Sequence, residues 1–365
     1  MNVLTDKNIP LIFEALNSKS SVVVLPATEI NREQLKNNSI NHLFIRSTVK
    51  ANEKLLEGTN VVFIATATSG IDHLDLEYLK KKGIAYFSAA GSNANSVAEY
   101  VIYSILKWSL LDGFSRLKSK TIGIIGFGNI GKIVAQYCNL LGLKVLVNDP
   151  PLLDMNFQFP DYVTYCELDE LFKNSDIITN HVPLTLSGIY KTKYLINYQQ
   201  LNLMRSNSLF IHTSRGGVVD EKALSEILTK KQLFLAIDVW ENEPDFNVNL
   251  ASVALIATPH LAGYAYDAKI KGSIQVLKHF ENFTNITPDY KLLLNELQTN
   301  NIEIIKNFDD VSKVFQILKT KRCFENDYEI FKATFGLSID KRKQFFIDFR
   351  KNYPIRRESI VLNNI

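Results

Sequence analysis

Arg215, Glu243 and His260 each sit in a short polar segment that follows an apolar run. The segments are His212-Thr-Ser-Arg215-Gly-Gly, Asp238-Val-Trp-Glu241-Asn-Glu243-Pro and Thr258-Pro-His260-Leu-Ala-Gly263-Tyr264. An imidazole can take a proton near neutral pH, and a carboxylate beside it orients the ring and favours its charged form. A guanidinium binds a carboxylate in a planar fork. This set suits oxidation of a 2-hydroxy acid, in which a base takes the hydroxyl proton while hydride leaves the same carbon. Spacing alone leaves open whether Glu241 or Glu243 partners His260.

The hydride needs an acceptor, and the chain carries a site for one. Thr121-Ile-Gly-Ile-Ile-Gly126-Phe-Gly128-Asn129-Ile130-Gly131 is a strand running into G-x-G-x-x-G, followed by a helical period that Gly142 ends. Gly126 permits the turn, Gly128 lets the backbone approach a pyrophosphate, and Gly131 lets the helix pack on the strand. Asp149 closes the next strand, where an acid accepts from ribose hydroxyls and repels a 2′-phosphate; Pro150 and Pro151 follow it with no arginine, which favours NAD over NADP.

The elements that must position these residues alternate short apolar runs with longer amphipathic ones, the pattern of an α/β protein with a parallel sheet. Strands are expected at residues 22–25, 42–46, 61–66, 121–126, 144–148, 177–180, 208–213, 234–239 and 254–258. Longer helical patterns at about 95–111 and 265–282 bracket the middle block and read as crossings between two lobes. After Asn285-Ile-Thr-Pro288 the pattern changes to strands at 302–306 and 359–362 and helices at 309–319 and 340–353, a small α+β module. Its Phe315, Phe324, Phe331, Phe335, Phe345, Phe346 and Phe349 either fill its own core or pack against a partner.

Of 365 residues, 41 are basic and 38 acidic, a net charge of +3 that argues against nucleic-acid binding unless it is concentrated. Residues 286–365 hold 14 of the cations and 11 of the anions, and so carry the whole excess. Interleaving with anions and phenylalanines points to an interface and away from nucleic acid. Part of the cluster Arg350, Lys351, Arg356 and Arg357 is expected to face a partner subunit's cleft and add positive potential for a doubly anionic substrate. Cys138, Cys166 and Cys323 lack a zinc or disulfide spacing, which suits a reduced, cytoplasmic setting. The first residues lack a signal-peptide pattern, and no stretch is apolar enough to cross a membrane.

Arg-Gly-Gly at 215, Glu-x-Glu-Pro at 241 and Pro-His-x-Ala-Gly at 259, in this order after the glycine motif, resemble the D-isomer-specific 2-hydroxyacid dehydrogenases. Arg46-Ser47-Thr-Val-Lys50, Ala65-Thr66-Ala67-Thr68-Ser69-Gly70-Ile-Asp72-His73, Asp149-Pro-Pro, Gly263-Tyr264 and Phe349-Arg350-Lys351-Asn352-Tyr353-Pro-Ile-Arg356-Arg357-Glu358 are similar to a branch of that family acting on a phosphorylated four-carbon acid, and the likeness covers essentially the whole chain. The resemblance implies a Rossmann-type dinucleotide-binding domain (95–264) inserted in a flavodoxin-like substrate domain (1–94, completed by about 265–285), plus a C-terminal dimerisation domain (286–365). It implies a homodimer using NAD, with closure of the lobes excluding water. It also chooses Glu243 as the partner of His260 and makes Arg215 catalytic.

In the same resemblance, Gly126, Gly128, Asn129, Ile130, Gly131, Asp149, Thr213, Ser214, Asp238 and Gly263 bind the cofactor, and Ser47, Thr68 and Tyr264 bind substrate. Val182 stands where the family has threonine, so a hydroxyl contact is lost there and a backbone contact remains open. Arg46, Ser47 and Lys50 meet the demand for cations and hydroxyls around a phosphate, although Arg46 could instead pair with a surface carboxylate. Tyr264 has the alternative of packing under the second long helix. His73 beside Asp72 and Asp75 imitates a metal site without further ligands. His42, His181 and His212 read as packed or hydrogen-bonded, with His181 close enough in sequence to border the cofactor, and Trp240 as packing near the nicotinamide. The alternatives in function are a phosphoglycerate or hydroxypyruvate/glyoxylate enzyme, and a non-catalytic NAD(H)-sensing protein.

Overall fold

The computed structural model describes residues 1–114, 117–299, 302–306, 308 and 310–362. The chain forms two compact units, one of Met1–Asn93 with Tyr264–Asn301 and the other of Ala94–Gly263 with Ile302–Ile365.

In the first unit, β1 (Asn2–Asp6), β2 (Ser21–Leu25), β3 (His42–Ile45), β4 (Phe63–Thr66) and β5 (Ala85–Ser88) form a parallel sheet ordered β2-β1-β3-β4-β5. Strands β3 and β4 are buried on both faces, as their near-continuous apolar runs require. Helix Tyr266–Thr284 covers one face, and its Ile270, Val276, Leu277 and Phe280 join Phe44 and Phe63 in a core. Gly272 makes the close approach possible, since a Cβ there would lie 3.2 Å from the Ala67 carbonyl oxygen.

The second unit holds β6 (Thr121–Ile125), β7 (Lys144–Asn148), β8 (Val163–Tyr165), β9 (Ile177–Asn180), β10 (Leu209–His212), β11 (Phe234–Ile237) and β12 (Ile256–Ala257). They form a parallel sheet ordered β12-β11-β10-β9-β6-β7-β8. The order reverses at β6, which lies between β9 and β7, so the crevice expected at such a switch point opens beside the glycine turn. Register then aligns the strand ends: Ile125 pairs with Asn148 and Asn180, Asn180 with His212, His212 with Ile237, and Ile237 with Ala257. The next residues, Gly126, Asp149, His181, Thr213, Asp238 and Thr258, therefore stand in one row along the carboxyl edge. Helix Ala94–Ser109 is buried almost all round within this unit.

The C-terminal residues correct two expectations. The division does not fall at 286: helix Lys291–Gln298 contributes Leu293 to the core of the first unit. From 302 onward, β13 (Glu303–Ile305), β14 (Ile360–Leu362) and helices Val311–Arg322, Phe324–Lys332 and Ile339–Lys351 belong to the second unit and share its core. Phe331 lies 4.3 Å from Phe246 and 6.2 Å from Trp240 between ring centres, and Phe315 stacks on Tyr103 at 5.5 Å. Phe315, Phe324, Phe331 and Phe346 thus belong to the core of the second unit of their own chain, and Phe335 and Phe345 pack against it. Asp309, where a helix was expected to begin, lies outside the described residues. Among the described residues no helix is long and apolar enough to cross a membrane.

Candidate active site

The glycine turn is built by steric exclusion. Gly126 has φ +90°, and a Cβ there would be 2.9 Å from Val182 Cγ1, while a Cβ on Gly131 would be 2.1 Å from the Gly126 carbonyl oxygen. Gly128 differs from both: a Cβ there would meet no atom within 4 Å. It begins helix Asn129–Leu140, whose first amides, including those of Asn129 and Ile130, have no partner within the helix and so suit an anion. Asp149 fastens the turn, its Oδ2 accepting from Phe127 N at 2.7 Å and its Oδ1 from Leu152 N at 3.1 Å. An open backbone cradle, a helix N-terminus and an acid at the end of the next strand fit a dinucleotide.

Four strands away, His260 is held by Asp238. The Asp238 carboxylate is buried and accepts from Leu261 N at 2.6 Å, Ala262 N at 3.0 Å and the Thr258 hydroxyl at 2.6 Å. Burial raises its pKa against the pull of His260 and these donors. His260 takes φ 58°, and its Nδ1 meets Glu243 Oε2 at 2.8 Å and Oε1 at 3.1 Å. Burial pushes the Glu243 carboxyl up, but the charge and hydrogen bond of His260, with Arg350 and the Trp240 amide, bring it below the usual carboxylate range. Glu241 turns the other way, toward the Tyr194 hydroxyl. Geometry therefore selects Glu243.

The loops carrying Arg215 and Glu243 touch because of a glycine. A Cβ on Gly216 would lie 1.9 Å from the Trp240 carbonyl oxygen, which gives the Arg-Gly-Gly motif its steric reason. Arg215 is half-buried, with Nη1 donating to the Ser214 carbonyl at 2.8 Å. Trp240 is buried and donates Nε1–H to the Thr258 carbonyl at 3.0 Å, tying the Glu243 loop to the His260 loop. Sequence reasoning missed Glu221, a buried carboxylate at the start of helix Glu221–Leu228 that accepts from Glu241 N at 2.7 Å. Its signal was an acid just after Asp220, the residue that caps this helix.

The remaining edge residues form a polar network. Ser214 donates to Asn180, whose amide meets His212 Nδ1 at 3.1 Å; His181 lies 3.1 Å from the Thr179 hydroxyl and 3.3 Å from that of Thr213. Burial pushes both histidines down to about 3, so they are neutral near pH 7. Val182 is half-buried against the core, and Gly263 follows the Asp238-bound turn.

In the first unit, Arg46 and Ser47 follow β3, with Arg46 half-buried and Ser47 and Lys50 exposed. Lys269, also missed by sequence reasoning, has its ammonium pKa lowered by its surroundings and by the Arg46 guanidinium, although its side chain reaches solvent. Thr68 lies 2.8 Å from the Thr66 hydroxyl and donates to the Gly70 carbonyl at 3.2 Å. His73 meets Thr66 at 2.9 Å, bracing the Thr68 loop. Tyr264 is half-buried, and His42 is packed edge-on to Phe280 at 5.3 Å.

One of the four clustered C-terminal cations pairs within its own chain. Arg356 binds Asp327 through two nitrogens, at 2.5 and 2.7 Å, and also meets the Arg322 carbonyl and the Tyr353 hydroxyl. Its charge is therefore matched within its own chain by Asp327. A bidentate pair to a buried carboxylate leaves its charge locally neutralised.

The family profile of the D-isomer specific 2-hydroxyacid dehydrogenase NAD binding domain matches residues 105–262. An erythronate-4-phosphate dehydrogenase of Wigglesworthia glossinidia brevipalpis is 37% identical over 362 residues, covering 98% of this chain and 92% of the relative. One of Hahella chejuensis is 36% identical over 360 residues, with the same coverage. Among solved structures, a D-lactate dehydrogenase of Aquifex aeolicus complexed with NAD and lactic acid superposes with a TM-score of 0.61 at 26% identity, over 82% of this chain and 98% of that one. The chain has an NAD-binding domain and is an NAD-dependent oxidoreductase. With its glycine turn, His260–Glu243 pair and full-length relatives, it belongs to the erythronate-4-phosphate dehydrogenases within the D-isomer specific 2-hydroxyacid dehydrogenase family.

Proposed function

We propose that this chain oxidises 4-phospho-D-erythronate to (R)-3-hydroxy-2-oxo-4-phosphooxybutanoate, in the cytoplasm, on the route to pyridoxal 5′-phosphate. The observation that carries the chemistry is the 2.8 Å contact of His260 Nδ1 with Glu243 on the carboxyl edge that also bears the glycine turn. With Nδ1 committed to Glu243, His260 Nε2 takes the proton of the substrate's C2 hydroxyl. Glu243 stabilises the imidazolium that results, and Arg215 binds the carboxylate and the developing carbonyl. NAD, when bound, supplies the acceptor for the hydride that leaves C2.

Gly126, Gly128, Asn129, Ile130 and Gly131 would cradle the pyrophosphate. Asp149 would take the ribose hydroxyls through the lone pairs its backbone contacts leave. Val182, Thr213, Ser214, Asp238 and Gly263 would line the rest of the dinucleotide. Arg46, Ser47, Thr68 and Tyr264 would hold the substrate. The mutual repulsion of Arg46 and Lys269 supports this assignment, because an anion bound beside them relieves it. A homodimer through the C-terminal segment is supported by exposed apolar side chains there, among them Ile304, Leu337, Ile339, Ile347 and Ile355. The test of substrate is NADH formation from erythronate 4-phosphate against 3-phosphoglycerate; preference for the latter rejects the assignment.

A further inference from the structure

Helix Ile339–Lys351 lies against the loop that carries Glu243. Three side chains spaced by three and four residues, and hence on one helix face, reach that loop. Lys343 Nζ is 3.3 Å from Asp245 Oδ2, the Phe346 ring lies 6.3 Å from Phe246, and Arg350 Nη1 is 3.9 Å from Glu243 Oε2. That oxygen is the one that meets His260 Nδ1 at 2.8 Å. Arg350 is seated in turn over the buried Phe346 ring, 5.6 Å from its centre. The same C-terminal segment reaches the other side of the catalytic turn, where Arg322 Nη2 donates to the Ala262 carbonyl at 3.4 Å, two residues beyond His260.

We propose that Arg350 is a positioning residue for the Glu243–His260 pair, so that the C-terminal segment completes the catalytic machinery of its own chain. The inference builds on the reading of His260 as proton acceptor. A carboxylate with both oxygens near one ring nitrogen can lean or rotate, and a cation placed on one of those oxygens restricts it. The cation also opposes protonation of Glu243, whose environment is otherwise mixed. Glu221 and Glu241 add negative charge, Asp238 lies beyond His260, and His212 is neutral because burial drives its pKa to about 3. Arg350 contributes to holding the Glu243 carboxyl below its usual range. Without it, Glu243 takes up a proton at higher pH and loses the negative charge that supports the imidazolium.

The test compares wild type, Arg350→Gln and Arg350→Lys in the full chain. One readout is the pH dependence of kcat/KM; the other is the ¹⁵N signal of His260 Nδ1, which reports the hydrogen bond without turnover. Arg350→Gln should lower kcat about tenfold. It should also move the acid limb and the NMR transition upward by about 0.5–1 pH unit. Arg350→Lys should restore the transition and most of kcat. The proposal is overturned if Arg350→Gln leaves the NMR transition in place, or if it raises KM alone, which would assign Arg350 to the substrate. Equal loss in both variants with a lower Tm and no shift would assign it to packing. A wild-type chain inactive on every 2-hydroxy acid would defeat the functional reading while the NMR comparison still decides this one.

Discussion

Asp238 grips His260 through both its main chain and its side chain. Its carbonyl accepts the His260 N–H at 2.7 Å, and its carboxylate accepts the next two amides, Leu261 and Ala262. This grip holds His260 at φ 58°, a conformation that costs a side-chain-bearing residue on the order of 1–3 kcal/mol. The strain is maintained because the carboxylate satisfies successive amides that would otherwise be buried unpaired.

Replacing His260 by Ala should reduce turnover by about 10³-fold or more while leaving the NADH Kd within about twofold, as fluorescence titration would read. Turnover near the wild-type rate would remove His260 from the proton transfer. Glu243→Gln should keep the contact but lose the charge that supports the imidazolium, giving an intermediate loss of about 10–10².

The glycine turn allows structure and function to be separated. Gly131→Ala drives a methyl to 2.1 Å from the Gly126 oxygen and should lower Tm by several degrees, corresponding to about 1–3 kcal/mol. Gly128→Ala fills open space and should leave Tm unchanged while weakening NADH binding about tenfold or more. Unchanged NADH affinity in Gly128→Ala would show that no ligand approaches there.

Arg322 and Glu99 form a fully buried ion pair, and burial with the nearby Glu358 raises the Glu99 carboxyl to about 7 despite the arginine. A carboxyl raised on folding stabilises fully below its unfolded pKa and loses that contribution as pH rises through the folded one. Arg322→Met should therefore cost about 3–5 kcal/mol at pH 8, where an unpaired carboxylate would be buried, and less at pH 5. Urea denaturation at the two pH values measures the difference. An equal cost at both would show that Glu99 does not change its proton in this window.

If the exposed apolar residues of the last helices form a subunit contact, Ile339→Asp with Ile347→Asp should shift the sedimenting species toward monomer. Unchanged sedimentation would place the contact elsewhere.

The parts readable in the sequence were those governed by local rules. The run Thr121–Ile125 ends in a glycine where the strand ends, and the helix over residues 94–109 lies close to the pattern expected at about 95–111. Strands β1, β5 and β8 were passed over because Asn2–Asp6, Ala85–Ser88 and Val163–Tyr165 are short and partly polar, and the sheet imposes their pairing. The same division holds at the site. The glycine turn and the strand-end polar segments are local patterns, whereas the choice of Glu243 over Glu241 depends on where Tyr194 lies. The ion pair of Arg356 was equally hidden, because its partner, Asp327, is 29 residues away on helix Phe324–Lys332. Lys269 carries no local signal beyond its charge and Glu221 only its place after the helix-capping Asp220, and only the folded chain brings them to Arg46 and to the Glu241 amide.

The pairing of Glu99 also orders events in time. Its carboxylate accepts the amides of Ser359 and Ile360, which follow it by 260 and 261 positions. A ribosome makes about 5–20 residues per second, so a newly made Glu99 waits on the order of ten seconds or more before those amides exist. Throughout that interval the helix it belongs to cannot close its core without burying an acid that lacks two of its hydrogen-bond donors. The dinucleotide-binding half, though begun early in the chain, is finished by its last described strand, and premature termination within the C-terminal segment would leave the catalytic half incompletely folded.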